Sequence, residues 1–273
     1  MWRMVQEWPE LILERLEDSG VARVLLNRPE RRNALNDKLV DAFFEALEII
    51  RPDTDIKVVI TKGSGPVFCS GLDLYYLRTV SRSLRDWDRP SVTSRLMMAL
   101  RDFPRIMIAQ VHGYVLGGGL ALMNMHDLVF AADNVQMGMP EVLRGSFGQM
   151  ATSTLFHAGI PIKKAALIQL LGRNITGAEA DRLGLVSLSV PEDELENTTN
   201  DLARELASRH LGTLQHAKIA AQMGRDLSLT DAIHVDWLVG ARQSIALDPT
   251  EHVEEYLRSQ KGGANTRYKR PDA

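Results

Sequence analysis

The sequence predicts an α/β fold with an all-helical C-terminal region, on three observations. Short β-branched or apolar runs alternate with stretches of helical periodicity through roughly the first two-thirds of the chain. Clusters of Gly, Pro, Asn and Asp punctuate them. From about Asp193 the strand signals stop and only helical spacing remains.

Taken in order, Leu11–Leu16 reads as a strand, Asp18-Ser19-Gly20 as a turn, and Val21–Leu26 as a second strand that Asn27-Arg28-Pro29 breaks. Over Asp37–Ile50, Leu39, Val40, Phe43, Phe44 and Leu47 recur at helical spacing, and Arg51-Pro52-Asp53 closes that helix. Residues 56–61 are β-branched and read as a buried strand, followed by the loop Gly63-Ser64-Gly65-Pro66. A helix over 91–103, a strand over Ile106–Val111, a glycine run, an apolar helix from Leu120 and a strand over 127–131 repeat the alternation in type, not in sequence. Residues 194–209, 215–227, 230–245 and 250–260 read as helices, with no Pro/Gly/Ser-rich linker before them. The expected division is a core over 1–192 and a helical region over 193–273 that covers a site or joins subunits.

Composition excludes several classes of function. The chain has 273 residues, 45% hydrophobic and 25% charged, which is ordinary for a soluble globular enzyme. A net charge of −3 and a pI of about 6.2 give no basic excess for nucleic acid. A local basic patch for a small anion remains compatible with that balance. The single cysteine, Cys69, permits no intramolecular disulfide and no thiolate metal cage. It fits a reducing compartment, and a cytoplasmic location is expected. Residues 1–8 contain no long apolar segment, so no secretory signal is expected. No run of 18 apolar residues exists, so no membrane span is expected. The tail 261–273, rich in Gly, Lys and Arg, reads as flexible or supported by a partner.

Three segments could carry chemistry. Val67-Phe68-Cys69-Ser70-Gly71-Leu72-Asp73-Leu74 leads from a buried strand through small residues into a helix start, where free backbone N–H groups suit an oxyanion. A plain turn with an Asp cap is the alternative. Gly113-Tyr114-Val115-Leu116-Gly117-Gly118-Gly119 puts three consecutive glycines before an apolar helix. Each costs roughly 0.5–1 kcal/mol of extra folding entropy relative to Ala, so close backbone approach by a ligand is a reason to keep them. No Asp or Glu stands in a suitable strand about 20 residues later, where a dinucleotide ribose would be read, so this is not that fingerprint. In Gly138-Met139-Pro140-Glu141-Val142, a carboxylate among apolar neighbours would have a raised pKa and could shuttle protons. Taken alone, Glu141 reads as a surface carboxylate or a partner of Arg144 rather than a proton shuttle.

Together these segments, preceded by Asn27-Arg28-Pro29-Glu30 and Asn33-Ala34-Leu35, resemble the crotonase (enoyl-CoA hydratase/isomerase) family. The matching stretches are 27–35, 68–74, 113–119 and 140–145, in family order over roughly residues 10 to 190. The resemblance implies a crotonase-like spiral of ββα units that binds acyl-CoA and assembles as trimers or dimers of trimers. It implies an enolate-like thioester oxyanion held by the N–H groups of Leu72 and Gly118, with Glu141 as acid/base. The coenzyme A part of the substrate would run along Ala34, Leu35 and the stretch Ser70 to Leu74, which includes Asp73. Arg28, Arg31, Arg32, Lys269 and Arg270 are the candidates for its phosphates. No metal and no separate cofactor are implied, and no nucleic acid or membrane partner.

Two departures sharpen the expectation. Hydratases of the family carry two glutamates, and the first position here is Ala121. A lone second glutamate is the pattern of enoyl-CoA isomerases and of hydratase-lyases acting on aryl substrates. The expected activity is therefore an isomerase or hydratase/lyase type. Hydration of an unusual acyl group, and a non-catalytic acyl-CoA or macromolecule binder, are the alternatives. Secondly, Gly148-Gln149-Met150-Ala151-Thr152 lacks glycines usual in the family. Gln149, Thr152 and Ser153 there either face substrate or cap the following helix.

Other residues read as structural. His112 is a satisfied structural histidine, His126 and Asp127 point to opposite faces of a strand, and Asp73 caps a helix. Cys69 is core, as are Met97, Met98, Met123 and Met125. Tyr75, Tyr76 and Trp87 could line an acyl pocket or simply pack.

Overall fold

The structure is a computed structural model that describes residues 1–79, 91–247, 253–254 and 257–258. Seven strands form the main sheet: β1 (Trp2–Trp8), β2 (Leu11–Leu16), β3 (Val21–Leu26), β4 (Val58–Gly63), β5 (Ile106–Val111), β7 (Leu128–Ala132) and β10 (Leu188–Val190). β1, β2 and β3 form an antiparallel meander, and every pairing from β3 to β10 is parallel. β6 (Tyr114–Leu116), β8 (Gln136–Gly138) and β9 (Ile175–Thr176) make a second, smaller sheet. The chain spirals between the two sheets. β5 passes into β6 and then α4 (Gly118–Asn124), and β7 passes into β8, a 3-10 turn (Pro140–Arg144), α5 (Gln149–Phe156) and α6 (Ile162–Leu171). β9 precedes α7 (Gly177–Leu183) and the return strand β10.

Parallel strands covered on both faces need apolar residues at successive positions. β4 meets this with Val58, Val59 and Ile60, all fully buried. The helix α1 (Asp37–Ile50) has the predicted bounds because Asn36 Oδ1 accepts from Leu39 N at 2.9 Å. Such a cap is worth about 1 kcal/mol. Its buried face is Leu39, Val40, Ala42, Phe43, Ala46, Leu47 and Ile50. α2 (Leu74–Thr79) and α3 (Val92–Arg101) follow.

The chain divides into two compact units, Met1–Leu211 and Gly212–Ala273. α8 (Glu192–Ala207) therefore groups with the first unit, whereas the sequence placed the start of the helical region at 193. Leu195, Thr199, Ala203 and Ala207 form its buried face, and it packs on β3, β4, β5 and β7. The second unit holds α9 (Leu211–Gly224) from its second residue onward, and α10 (Leu229–Ala246). None of the residues of α10 is buried, and it exposes Leu229, Ile233 and Trp237 at four-residue spacing. The helix expected over 250–260 lies largely outside the described residues.

Several expectations change. β1 has no clear strand signal because its sequence, WRMVQEW, is an exposed sheet edge whose alternation is interrupted by a register shift between Met4 and Gln6. Its ends are held by Trp2, which lies under the Arg23 guanidinium at 4.1 Å, and by Trp8, whose indole N–H donates to Glu45 at 2.7 Å. Met97 and Met123 are core, but Met98 is 61% exposed because it falls on the outer face of α3. His126 and Asp127 precede β7 rather than lying in it. The His126 ring bonds Leu122 O and Thr61 Oγ1, and Asp127 accepts from Met107 N.

A charged network lies between α8 and the sheet. Glu196 accepts from Arg23 at 2.9 Å, from Gln110 at 3.2 Å and from Lys62, while Arg23 also reaches Glu14 at 2.7 Å. Burial alone would raise the Glu196 pKa, but Lys62, Gln110 and Arg23 outweigh it and hold the carboxyl below its ordinary 4.5. A depressed carboxyl stabilises the fold above its unfolded pKa, and that contribution is lost as pH falls through the folded value. Glu196→Gln is therefore expected to destabilise the protein at pH 7. The difference from the parent should shrink as pH falls below about 4, read by denaturant unfolding at each pH.

Candidate active site

Backbone contacts too close for side chains bring three chain segments together. The bridge Cys69↔Val115 runs the 68–69 segment beside β6, and Leu116 N donates to Cys69 O at 3.1 Å. This lays the glycine run against residues 69–72. A Cβ on Gly119 would lie 2.3 Å from Cys69 O, and one on Gly118 would lie 3.2 Å from the Leu72 nitrogen. A Cβ on Gly71 would in turn lie 3.2 Å from the Gly118 nitrogen. Both N–H groups are free of protein acceptors among the described residues. Gly118 opens α4, so its N–H has no intrahelical partner. Leu72 is the residue skipped by the bridge to Leu35, because Gly71 O and Asp73 N make its two bonds. Two adjacent unpaired donors of this kind suit an oxygen carrying developing negative charge.

Glu141 enters from the third segment. Pro140 and Glu141 open the 3-10 turn that Gly145 closes in left-handed conformation. The carboxyl lies between two glycines. On Gly117, at φ +51°, a Cβ would lie 1.9 Å from Glu141 Oε1; on Gly148, at φ +69°, it would lie 3.1 Å from the carboxyl carbon. Glu141 Oε2 is buried and has no hydrogen-bond partner. Burial raises the Glu141 pKa above 4.5, against weaker opposing pulls from its own backbone N–H and from Arg144. An unsatisfied, partly desolvated carboxylate is a competent proton acceptor. Thus Leu72, Gly118 and Glu141 converge through Gly117, which precedes Gly118 in the chain.

The other sequence candidates divide. Ala34 and Leu35 are buried, Leu35 bridging Leu72, and Ser70, half-buried, donates its N–H to Arg32 O at 3.0 Å. Arg31 is exposed, with its guanidinium 5.1 Å from the Tyr75 ring centre. Asp73 does cap α2, accepting from Tyr75 N at 2.9 Å and Tyr76 N at 3.3 Å, and it also pairs with Arg28 at 2.9 Å. Arg28 is thereby engaged inside the protein. Arg32 is exposed, in left-handed conformation. Trp87, Lys269 and Arg270 lie outside the described residues. Ala121 is fully buried. Gln149, Thr152 and Ser153 supply no N-cap to α5, whose N-cap residue is Gly148. Instead the Thr152 hydroxyl donates to Phe147 O at 2.6 Å and accepts from Gln169 at 2.7 Å.

His112 Nε2 bonds Gly65 O at 2.9 Å and burial lowers its pKa, as suits a neutral histidine, but its buried Nδ1 has no hydrogen-bond partner among the described residues, so the ring is not the fully satisfied one expected. Cys69 is fully buried and its thiol is pushed up to about 12 by burial, so it is no nucleophile at neutral pH. Among the described residues no three His, Cys, Asp or Glu side chains gather as a metal site.

The roles of Gly117 and Gly148 escaped the sequence analysis. The glycine run marked Gly117 as unusual, but only the fold shows that a distant carboxylate fills the space a side chain would take. Asn33 belongs to the 27–35 motif, but its bonding role could not be read from that motif. Its Oδ1 accepts from Arg28 N, and its Nδ2 donates to Ser64 O and Val67 O.

The enoyl-CoA hydratase/isomerase family profile matches residues 17–245. A probable mitochondrial enoyl-CoA hydratase of Dictyostelium discoideum is 34% identical over 220 residues, covering 79% of this chain and 77% of that protein. The 2,3-dehydroadipyl-CoA hydratase of Escherichia coli K12 is 33% identical over 223 residues, covering 81% and 84%. Among solved structures, human enoyl-CoA hydratase domain-containing protein 3 superposes with a TM-score of 0.83 at 28% identity, covering 92% of this chain and 98% of that one. A Geobacillus kaustophilus protein titled enoyl-CoA hydratase gives 0.85 at 26% identity, covering 95% and 97%.

Gly117→Ala is expected to displace the Glu141 carboxyl. A side chain at this φ costs roughly 1–3 kcal/mol in addition. The melting temperature should fall, and the Glu141 pKa followed by carbon-detected NMR should move back toward 4.5. Glu141→Gln removes an unsatisfied charge, so at pH 7 its melting temperature should equal or exceed that of the parent.

Proposed function

Because this chain belongs to the enoyl-CoA hydratase/isomerase family, we propose that it acts on an acyl-CoA thioester by moving a proton with Glu141 alone. The observation that carries this is the Glu141 carboxyl set against Gly117, its Oε2 buried and unpartnered, with the N–H groups of Gly118 and Leu72 close by. In the proposed reaction the thioester oxygen sits between those two N–H groups. Glu141 takes a proton from the carbon beside the carbonyl, and the electron pair moves onto the oxygen. In a 3-enoyl-CoA the resulting dienolate takes the proton back from Glu141 two carbons further along, giving a 2-enoyl-CoA. Only a proton moves, so this reaction calls on no metal or redox group. Ala121 supports isomerisation over simple hydration, since it has no carboxyl to orient water jointly with Glu141. Coenzyme A is proposed to lie along Ala34, Leu35 and Ser70, with Arg31 beside its phosphates.

Hydration is the second reading, favoured by relatives whose names say hydratase. A single carboxylate then handles water with help from groups on an unusual acyl chain. We also propose assembly as a homotrimer or dimer of trimers. The exposed apolar side chains Leu143, Phe147, Ile162, Leu167 and Leu170 support burial against another copy. A cytoplasmic location is proposed on the single, buried thiol of Cys69. No helix among the described residues is long and apolar enough to cross a membrane.

Turnover of a 3-enoyl-CoA, crotonyl-CoA and an aryl-propenoyl-CoA tests the assignment. Preference for the 3-enoyl substrate is expected, and Glu141→Gln should lose roughly 10²–10⁴ in kcat. Full activity in that variant would remove Glu141 from the mechanism. The rate should fall on the acid side through a single ionisation above 4.5, the raised value of Glu141. Ala121→Glu is expected to add crotonyl-CoA hydration.

A further inference from the structure

We propose that the buried Arg28–Asp73 ion pair positions the Leu72 N–H as an oxyanion donor. The inference rests on the function proposed above. Two loops distant in sequence, 27–35 and 70–73, meet behind this peptide group. Leu35 N donates to Gly71 O at 2.8 Å, and Asp73 N donates to Leu35 O at 2.9 Å. In a parallel bridge of this pattern the skipped residue turns its own N–H and C=O away from the partner segment. Leu72 is that residue, so its donor faces the Gly118 side only while the two loops hold their register.

Arg28 clamps the register from one end. Its guanidinium donates to Ala34 O, next to Leu35, and reaches Asp73 Oδ2 at 2.9 Å, next to Leu72. Both side chains are almost fully buried, at 12% and 9% exposure. Arg28 is itself anchored by Asn33, whose Oδ1 accepts from Arg28 N at 2.9 Å and whose N–H donates to Arg28 O at 2.9 Å. The other Asp73 oxygen receives the first free N–H groups of α2. The pair therefore connects the 34–35 segment to the helix start across the residue between them.

A buried ion pair contributes little net stability, because desolvation offsets its attraction. Apolar residues would fill the same volume as well, so fixing one backbone geometry is the function left to it. Phosphate binding by Arg28 is the competing assignment. It fits poorly: the guanidinium already serves a carbonyl and a carboxylate, and Asp73 would repel a phosphate brought beside it.

Asp73→Asn isolates the ion pair, since an amide oxygen still caps α2 while the charge is lost. Arg28→Met/Asp73→Asn, which leaves no unpaired buried charge, is measured alongside. The probe is cinnamoyl-CoA, with the thioester carbonyl stretch followed by Raman difference spectroscopy on the full-length protein. The parent is expected to lower that frequency on binding. Both variants should show a smaller lowering and a kcat reduced roughly 10- to 100-fold, with the Kd of free CoA unchanged. A full frequency shift in either folded variant would overturn the inference while leaving the oxyanion site standing. So would a loss confined to CoA affinity, which would make Arg28 a phosphate ligand. No shift in the parent would remove the oxyanion site, and the inference with it.

Discussion

The structure depends on one constraint: main chain must meet main chain where residues 117–119 cross 69–72. Side chains would hold these segments several ångströms apart. Glycines let carbonyls and amides approach to contact, as the 2.3 Å from an added Gly119 Cβ to Cys69 O makes plain. The cost falls on the unfolded-state side, where each glycine has more freedom to lose. The main sheet and α1 supply the apolar burial that offsets it. The two sheets of the spiral are the frame that holds these otherwise unfavourable loops together.

The same crossing explains why Glu141 has the properties it has. Its carboxyl occupies space that a side chain at Gly117 or Gly148 would fill, and nothing satisfies Oε2. A group left in that condition destabilises the ionised fold and raises its own pKa. Asp73, next to Leu72 in the chain, shows the opposite arrangement. Arg28 and two amide donors satisfy it, and its pKa is lowered despite burial. Their surroundings push the two carboxyls in opposite directions from their ordinary values. One is left free to exchange a proton, and the other is kept charged and fixed in place.

Much of this was legible beforehand because it is written locally. α1 follows from its apolar spacing and the Arg51-Pro52-Asp53 stop, β2 and β3 from their runs and the Asp18-Ser19-Gly20 turn, and the Asp73 cap from its place before α2. The order of the motifs led to Leu72, Gly118 and Glu141. What stayed hidden is what depends on distant residues meeting. Nothing near Glu141 in sequence announces that Gly117, twenty-four positions earlier, makes room for it. Nothing near Arg28 announces Asp73. β1 was hidden for another reason: it is an exposed edge strand whose alternation is interrupted, so periodicity is silent about it.

The donors proposed for the thioester oxygen have a property the proton carrier lacks: no codon specifies them. Every residue except proline brings the same amide, so a point mutation can delete Glu141, or place an acid at position 121, while at Leu72 any change short of proline leaves the donor in place. Within such a lineage the part that holds charge is inherited with the backbone, while the part that chooses the reaction is open to drift.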